Sequence, residues 1–317
     1  MLLVLAGTRK GLFILATAER QGAWRIEGPH FLGQVVNHAV LDPRDGSVVA
    51  LASNPTFDPA LFVNGIKPEV FKSLQDPAGH LPLNNRATSG QYAPGSTFKL
   101  VTSMAAQSEG LIDGRTTVRD TGEFKLPVCR GEKCSFRNAG GTAYGNVNLS
   151  RAMAVSSDVF FYSIGYRFWV ERAKFGTTPI QDTARSLGLG DKTGIEISEA
   201  HGRLADPETR KKLNAASPDK FPNGQWFAGD NINLAIGQGE MAITPLQLAN
   251  AYSTFANGGT RFQPRLAAQA LDSKGNPVEK FPPVKTGTVA LTEAQRAPIL
   301  AGLKGALTDA RGTASAA

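Results

Sequence analysis

Hydrophobic positions change their spacing several times along the chain, and each change marks a different kind of element. Leu2-Leu3-Val4-Leu5-Ala6 and Gly11-Leu12-Phe13-Ile14-Leu15 are short apolar runs on either side of a Thr8-Arg9-Lys10 turn, and Trp24-Arg25-Ile26 alternates apolar with polar. These read as short strands. Val35–Leu41 and Ser47–Ala52 flank Asp42-Pro43-Arg44-Asp45-Gly46. The Asp-Gly pair supplies positive-φ turn chemistry, so this stretch predicts a β-hairpin. Beyond it the spacing becomes helical, over Leu100–Ser108, Leu149–Phe168, Pro245–Ala256 and Glu293–Leu307. The polar, proline-bearing stretches Pro77–Arg86 and Gly202–Gly224 predict loops. There is no low-complexity tract and no internal repeat.

Composition narrows the class. At 317 residues, 41% hydrophobic and 19% charged, the chain has ample material for a core and is long enough for one large or two ordinary domains, which excludes global disorder. The 34 glycines and 19 prolines point to a loop-rich α/β or α+β chain rather than a helical bundle. No apolar run approaches the ~18–20 residues of a membrane span. The opening Met1–Thr17 is interrupted by Arg9 and Lys10 and is followed by no small-residue cleavage site, so it is a poor signal peptide. The formal charge of +7 is scattered, and its tightest group, Arg210-Lys211-Lys212, lies in a predicted polar loop. Without a basic stripe and interleaved aromatics, nucleic acid is not an expected partner. Cys129 and Cys134 stand five apart, and none of His30, His38, His80 and His201 is near them in sequence, so no metal site is expected. Two readings of the cysteines stay open: free thiols, or a small loop disulfide that would require an oxidising compartment.

Two segments carry candidate chemistry. In Tyr92-Ala93-Pro94-Gly95-Ser96-Thr97-Phe98-Lys99-Leu100-Val101, Pro94-Gly95 ends an extended stretch and an apolar run opens a helix. Ser96 then falls in the first turn, near the positive end of the helix dipole, with Lys99 three residues on and on the same face. A serine hydroxyl becomes a useful nucleophile only when a base takes its proton. A lysine in an apolar, partly buried place can lose its charge and be that base. A helix-capping serine with a surface lysine would give the same spacing. In the second segment, Ala154-Val155-Ser156-Ser157-Asp158-Val159-Phe160-Phe161-Tyr162, a polar trio interrupts an apolar run. Burying it requires partners for each group. One reading is a helix cap. The other makes Ser156 a proton-relay hydroxyl and Asp158 a hydrogen-bonding group facing Lys99.

The two segments, in this order, resemble the transpeptidase domain of class B penicillin-binding proteins, and within it the elongation-type penicillin-binding protein 2 group. Leu41–Gly46 through Ala50–Pro59 is similar to that family's first hairpin. Asn85-Arg86-Ala87 with Tyr92–Leu100 is similar to its nucleophile region. Gly237-Gln238-Gly239, Thr244–Ala249 and Ala256-Asn257-Gly258-Gly259 are similar to the segment behind its active-site sheet. The resemblance runs from about residue 40 to the end. It implies a penicillin-binding transpeptidase or serine β-lactamase-like α/β (α+β) fold, an antiparallel sheet flanked by helices. It also implies acyl transfer through a serine ester in peptidoglycan synthesis. Ser96 would attack the D-Ala-D-Ala carbonyl of a stem peptide, β-lactams would acylate the same hydroxyl, and the Ser96 N–H would form half of the oxyanion hole. Lys99 would act as base, Ser156 as proton relay and Asp158 as partner of Lys99. No cofactor is implied. The implied partners are peptidoglycan stem peptides, β-lactams and a cell-wall glycosyltransferase complex, at the extracytoplasmic face of the bacterial membrane.

The chain departs from that pattern at both ends. The family's Lys-Thr-Gly strand follows a helix and a Gly-Thr-Ala signature, which correspond here to Ala297–Leu307 and Arg311-Gly312-Thr313-Ala314. Lys285-Thr286-Gly287 precedes both and is read as a chance tripeptide in a linker, so the domain is expected to be incomplete and truncated. At the other end, Gly7–Phe13 and Trp24–His30 resemble the opening blade of sialidase-like β-propellers. A lone blade cannot bury its own face, which excludes a working propeller. The expected organisation is a partial propeller-like segment over 1–33 and a truncated transpeptidase domain over 34–317, and the alternative to an active enzyme is a non-catalytic fragment of that domain.

Overall fold

The computed structural model describes residues 2–8, 11–17, 25–30, 36–127, 129 and 134–314. Trp24 and Val35, which begin two of the expected strands, lie outside the described residues. In chain order the strands are β1 (Leu2–Thr8), β2 (Gly11–Thr17), β3 (Arg25–His30), β4 (Val36–Leu41), β5 (Val48–Asn54), β6 (Thr117–Asp120), β7 (Glu123–Lys125), β8 (Ser135–Arg137), β9 (Gly145–Asn148), β10 (Thr260–Phe262), β11 (Gln269–Leu271), β12 (Pro277–Lys280) and β13 (Lys285–Thr288). The helices are α1 (Pro68–Leu74), α2 (Lys99–Ser108), α3 (Leu149–Ala154), α4 (Asp158–Val170), α5 (Arg172–Phe175), α6 (Pro179–Ser186), α7 (Pro207–Ala216), α8 (Ala228–Leu234), α9 (Pro245–Ala256) and α10 (Glu293–Thr308). The mixture of helices and antiparallel strand pairs is the expected α+β class. Among the described residues no helix is long and apolar enough to cross a membrane.

The chain divides into two compact units, each built from three stretches. The first comprises Met1–Tyr92, Asp191–Gly202 and Ile243–Gly287. It holds the antiparallel sheet β1-β2-β3 and the expected hairpin β4–β5, in which Val36 pairs with Asn54 and Val40 with Ala50. Gly46 closes the hairpin at φ +75°, and a side chain there would meet the Gln263 carbonyl at 2.6 Å. Leu41, Ile195 and Leu246 form a buried cluster under it. Helix α9 opens with a capping box, Thr244 accepting from the Gln247 N–H while the Gln247 side chain accepts from the Thr244 N–H. Lys285-Thr286-Gly287 is a strand rather than a linker: β13 pairs with β10, and Arg261 donates to the Thr286 hydroxyl and carbonyl.

The second unit, Ala93–Gly190, Arg203–Ala242 and Thr288–Ala317, is mainly helical. Helix α2 is buried along almost its whole length, from Lys99 to Gln107. Helix α10 packs on α3 so closely that a side chain at Gly302 would meet Met153 Cβ at 2.4 Å, and Ser150 donates to the Pro298 carbonyl. Helices α4 and α8 touch through Gly165, where an added Cβ would lie 2.6 Å from the Asn231 carbonyl and 3.0 Å from Ala235 Cβ. Gly165→Val should therefore lower unfolding free energy by about 1–3 kcal/mol, as overpacking does. Urea unfolding measures this, and an unchanged midpoint would disprove the tight contact.

Two sequence expectations need correction in this unit. The helical spacing read over Leu149–Phe168 belongs to two helices, broken at Val155–Ser157 because Ser156 takes φ +53° and Ser157 caps α4 through the Phe160 N–H, so the trio is both the helix cap and the inward-facing polar group that its two readings offered. Part of the expected loop Gly202–Gly224 is helix α7. Asp206 caps it through the Thr209 N–H and Pro207 occupies its first turn, while no residue of the helix is buried. A helix held by its cap and by polar contacts such as Arg210 with Asp230 and Glu240 leaves no hydrophobic period to read.

Candidate active site

The nucleophile candidate comes first. Gly95–Phe98 is a 3-10 turn leading directly into α2, with the Lys99 N–H bonded to the Ser96 carbonyl. At three residues per turn, Ser96 and Lys99 eclipse each other along one face. The turn is braced from behind. Gly95 N–H donates to the Gly237 carbonyl at 3.0 Å, and a side chain at Gly237 would lie 2.4 Å from the Gly95 carbonyl and 2.6 Å from Phe98 Cβ. Only glycine lets the Gly237-Gln238-Gly239 loop approach so closely, and at φ +69° it also suits the backbone there. Phe98 is fully buried while Ser96 is exposed, so the turn presents one side chain outward and anchors another inward.

Lys99, on the same face one turn further in, is enclosed by protein and 1% exposed. Its Nζ donates to Asp158 Oδ1 at 2.6 Å, to the Ser156 carbonyl at 2.9 Å and to Ser156 Oγ at 2.8 Å, with the Phe161 ring 5.3 Å away. Ser156 Oγ in turn lies 2.9 Å from Ser96 Oγ. All four expected residues therefore meet, although 57 to 60 residues separate the two segments. The link from Ser96 to Lys99 is not direct: the Ser156 hydroxyl stands between them. Burial pulls the Lys99 ammonium below the ordinary lysine value, and the Asp158 carboxylate opposes that shift without cancelling it.

Ser156 adopts the left-handed conformation, which costs a non-glycine residue about 1–2 kcal/mol. Such strain persists where surrounding structure over-determines it. Here the Lys99 bond to the Ser156 carbonyl and the Ser157 N–H bond to the Ala152 carbonyl (2.9 Å) hold it. The result aims a hydroxyl and a carbonyl at the same ammonium.

Sequence reasoning missed a second polar layer under this turn. Asp120, at the end of β6, is 1% exposed. Its carboxylate accepts from Ser157 Oγ at 2.5 Å, from Asn138 Nδ2 at 2.8 and 2.9 Å, and from the Gly122 N–H at 2.8 Å. Asn138 also accepts from the Val159 N–H at 3.0 Å. A single Asp or Asn in a short strand or loop carries no spacing signal that would have pointed to this layer. Beside it, Cys129 and Cys134 form a disulfide across the β7–β8 hairpin, which resolves the two readings of the cysteines. Phe124 and Phe136 of that hairpin pack on Tyr162 of α4. Among the described residues no cluster of three or more His, Cys, Asp or Glu side chains could hold a metal ion.

The family model described as the penicillin binding protein transpeptidase domain matches residues 38–296. The chain belongs to that family. Among curated relatives, the peptidoglycan D,D-transpeptidase MrdA of Acinetobacter baumannii is 34% identical over 243 residues, 76% of this chain and 33% of that protein. The chain thus spans about a third of the length of the curated relatives it matches. Among solved structures, Pseudomonas aeruginosa PBP2 in complex with WCK 5153 superposes with a TM-score of 0.72 at 29% identity, over 88% of this chain and 57% of that one. The penicillin G acyl-enzyme complex of penicillin-binding protein A from M. tuberculosis superposes with a TM-score of 0.67 at 25% identity, over 87% and 59%. The expected penicillin-binding transpeptidase fold and its penicillin-binding protein 2 affinity are therefore established. The transpeptidase-family match begins at residue 38, within β4 and close to the start expected at about residue 40, and ends at residue 296, short of the chain end to which the resemblance was read.

Proposed function

We propose that this chain carries the acyl-transfer centre of a peptidoglycan D,D-transpeptidase. The observation that carries this reading is the hydrogen-bonded row Ser96 Oγ, Ser156 Oγ, Lys99 Nζ, at 2.9 and 2.8 Å, in a member of the transpeptidase family. With Lys99 neutral, the Ser96 proton passes to Ser156 Oγ as the Ser156 proton passes to Nζ. Ser96 Oγ then bonds to the D-Ala-D-Ala carbonyl carbon. The peptide C–N bond breaks, and D-alanine leaves with a proton returned along the same row. An amine of a second stem peptide attacks the ester and restores the Ser96 hydroxyl. The Ser96 N–H, at the head of its turn, would donate to the oxyanion. A β-lactam meets the same hydroxyl and forms the same kind of ester.

The disulfide supports placing this centre in an oxidising compartment, on the extracytoplasmic side of the membrane. The elongation-type affinity supports a glycan-polymerising glycosyltransferase as assembly partner. The antiparallel order β1-β2-β3 supports residues 1–33 as a propeller-blade-like segment joined to the transpeptidase portion at about residue 34.

The test is direct labelling. Folded protein incubated with a fluorescent penicillin should carry one stable adduct, and tryptic mapping should place it on the peptide Ala87–Lys99. A folded protein that gives no adduct, or carries it on another peptide, sinks the proposal.

A further inference from the structure

We propose that Asp120, bridged by Asn138, is a positioning residue that holds the Ser156–Asp158 turn in its proton-relay geometry, an inference that rests on the acyl-transfer reading above. The turn has three residues, and the relay uses only the outer two. Ser156 faces Ser96 and Lys99, and Asp158 faces Lys99. Ser157 between them faces the opposite way, is fully buried, and gives its hydroxyl proton to Asp120 Oδ2. The same Ser157 oxygen accepts the Phe160 N–H and so starts α4. Asn138 ties the other side: its Nδ2 donates to both Asp120 oxygens and to the Thr142 carbonyl, and its Oδ1 takes the Val159 N–H.

Asp120 thus fixes the residue after Ser156 directly and the residue after Asp158 through one amide. Its own position is set by the β6–β9 ribbon, where it pairs with Gly145, and by the Gly122 N–H. Among the described residues Asp120 has no cationic partner; three neutral donors from three separate places in the chain satisfy it. A buried carboxylate held this way makes loss of any donor expensive, so the donors stay where they are. That rigidity reaches Ser156, whose left-handed backbone has no glycine to make it comfortable. Nothing in the network touches Ser96, so its effect on acyl transfer runs entirely through the relay.

Asp120→Asn keeps the shape but removes one acceptor from a fully used carboxylate. Stopped-flow acylation by the fluorescent penicillin should show the acylation step falling about 10²-fold, as for a reacting group misplaced by ~1 Å, with the non-covalent affinity unchanged. The exchanged pair Asp120→Asn/Asn138→Asp restores the carboxylate–amide contact but leaves the Thr142 carbonyl without its donor, so it should recover part of the rate, which a merely structural loss would not. Amide exchange should quicken at Val159 and Phe160 while α2 stays protected. Ser157→Ala, a milder lesion, should show the same pattern to a smaller degree and serves if Asp120→Asn does not fold. A folded Asp120→Asn protein acylating at the wild-type rate overturns the positioning role. If the wild-type chain itself is not acylated, the acyl-transfer reading has failed instead. Unchanged exchange at Val159 and Phe160 in the variant then overturns the bracing role, and quickened exchange upholds it.

Discussion

Alanine at Ser96 is expected to abolish covalent labelling by a fluorescent penicillin, to below detection, while thermal unfolding stays within a degree or two of the parent. The two halves of this expectation have separate physical grounds. Among the described residues the other hydroxyl in the Lys99 row, Ser156 Oγ, is half-buried where Ser96 is exposed and stays tied to the Lys99 Nζ, so it does not reach an incoming carbonyl. An ester therefore has no substitute atom on which to form. The fold is spared because Ser96 Oγ is exposed and has, among the described residues, a single protein partner, and removing one exposed hydrogen bond costs only about 0.5–1.5 kcal/mol. Gel fluorescence and a melting curve on the same sample decide it. Residual labelling at more than a few per cent of the parent, in folded Ser96→Ala, would move the nucleophile elsewhere.

Methionine at Lys99 should reduce the acylation rate by about 10²–10⁴-fold, the usual range for a lost general base. Methionine fills the buried stem of the lysine without an amine, so the loss reads the proton transfer and not a cavity. The pH dependence gives an independent check. Because burial depresses the Lys99 pKa, the native chain binds fewer protons than the unfolded chain between that depressed value and the ordinary 10.5. Stability then rises with pH across this window. The parent should gain stability there relative to Lys99→Met, and the acylation rate should climb on passing the depressed pKa as the neutral amine accumulates. Chemical unfolding of both proteins at several pH values, with acylation rates alongside, measures the two slopes. Parallel stability curves, or a rate that falls with rising pH in this window, would show that Lys99 stays charged and is not the base.

The outcome at individual residues shows where sequence reading succeeds. The helical stretches with an apolar period, Leu100–Ser108, Pro245–Ala256 and Glu293–Leu307, appear within a residue or so of their expected ends, because burial of one face is written in the spacing. Helix α7 escaped because a polar segment has no such spacing, although Asp206 and Pro207 announced its start. In Leu149–Phe168 the helical spacing and a cap at the Ser-Ser-Asp trio were legible, but φ +53° at Ser156 was not, since it follows from its partners and not from its identity. Lys285-Thr286-Gly287 is a strand that read as a linker, because its partner β10 lies 25 residues away in the chain at Arg261 and Thr286.

By itself, then, the sequence determined the chemistry on offer: a serine and a lysine three apart at a helix start, a Ser-Ser-Asp trio inside an apolar run, and a family pattern joining them. Tertiary structure alone decided how these parts connect. It set Ser156 between Ser96 and Lys99 in place of a direct contact, buried Lys99 deeply enough to lower its pKa, and put Asp120 and Asn138 beneath the turn. The reason is one of range. Spacing fixes neighbours within a helical turn, whereas the distances that make a proton relay are set by strands and helices that meet across 20 to 60 residues of chain.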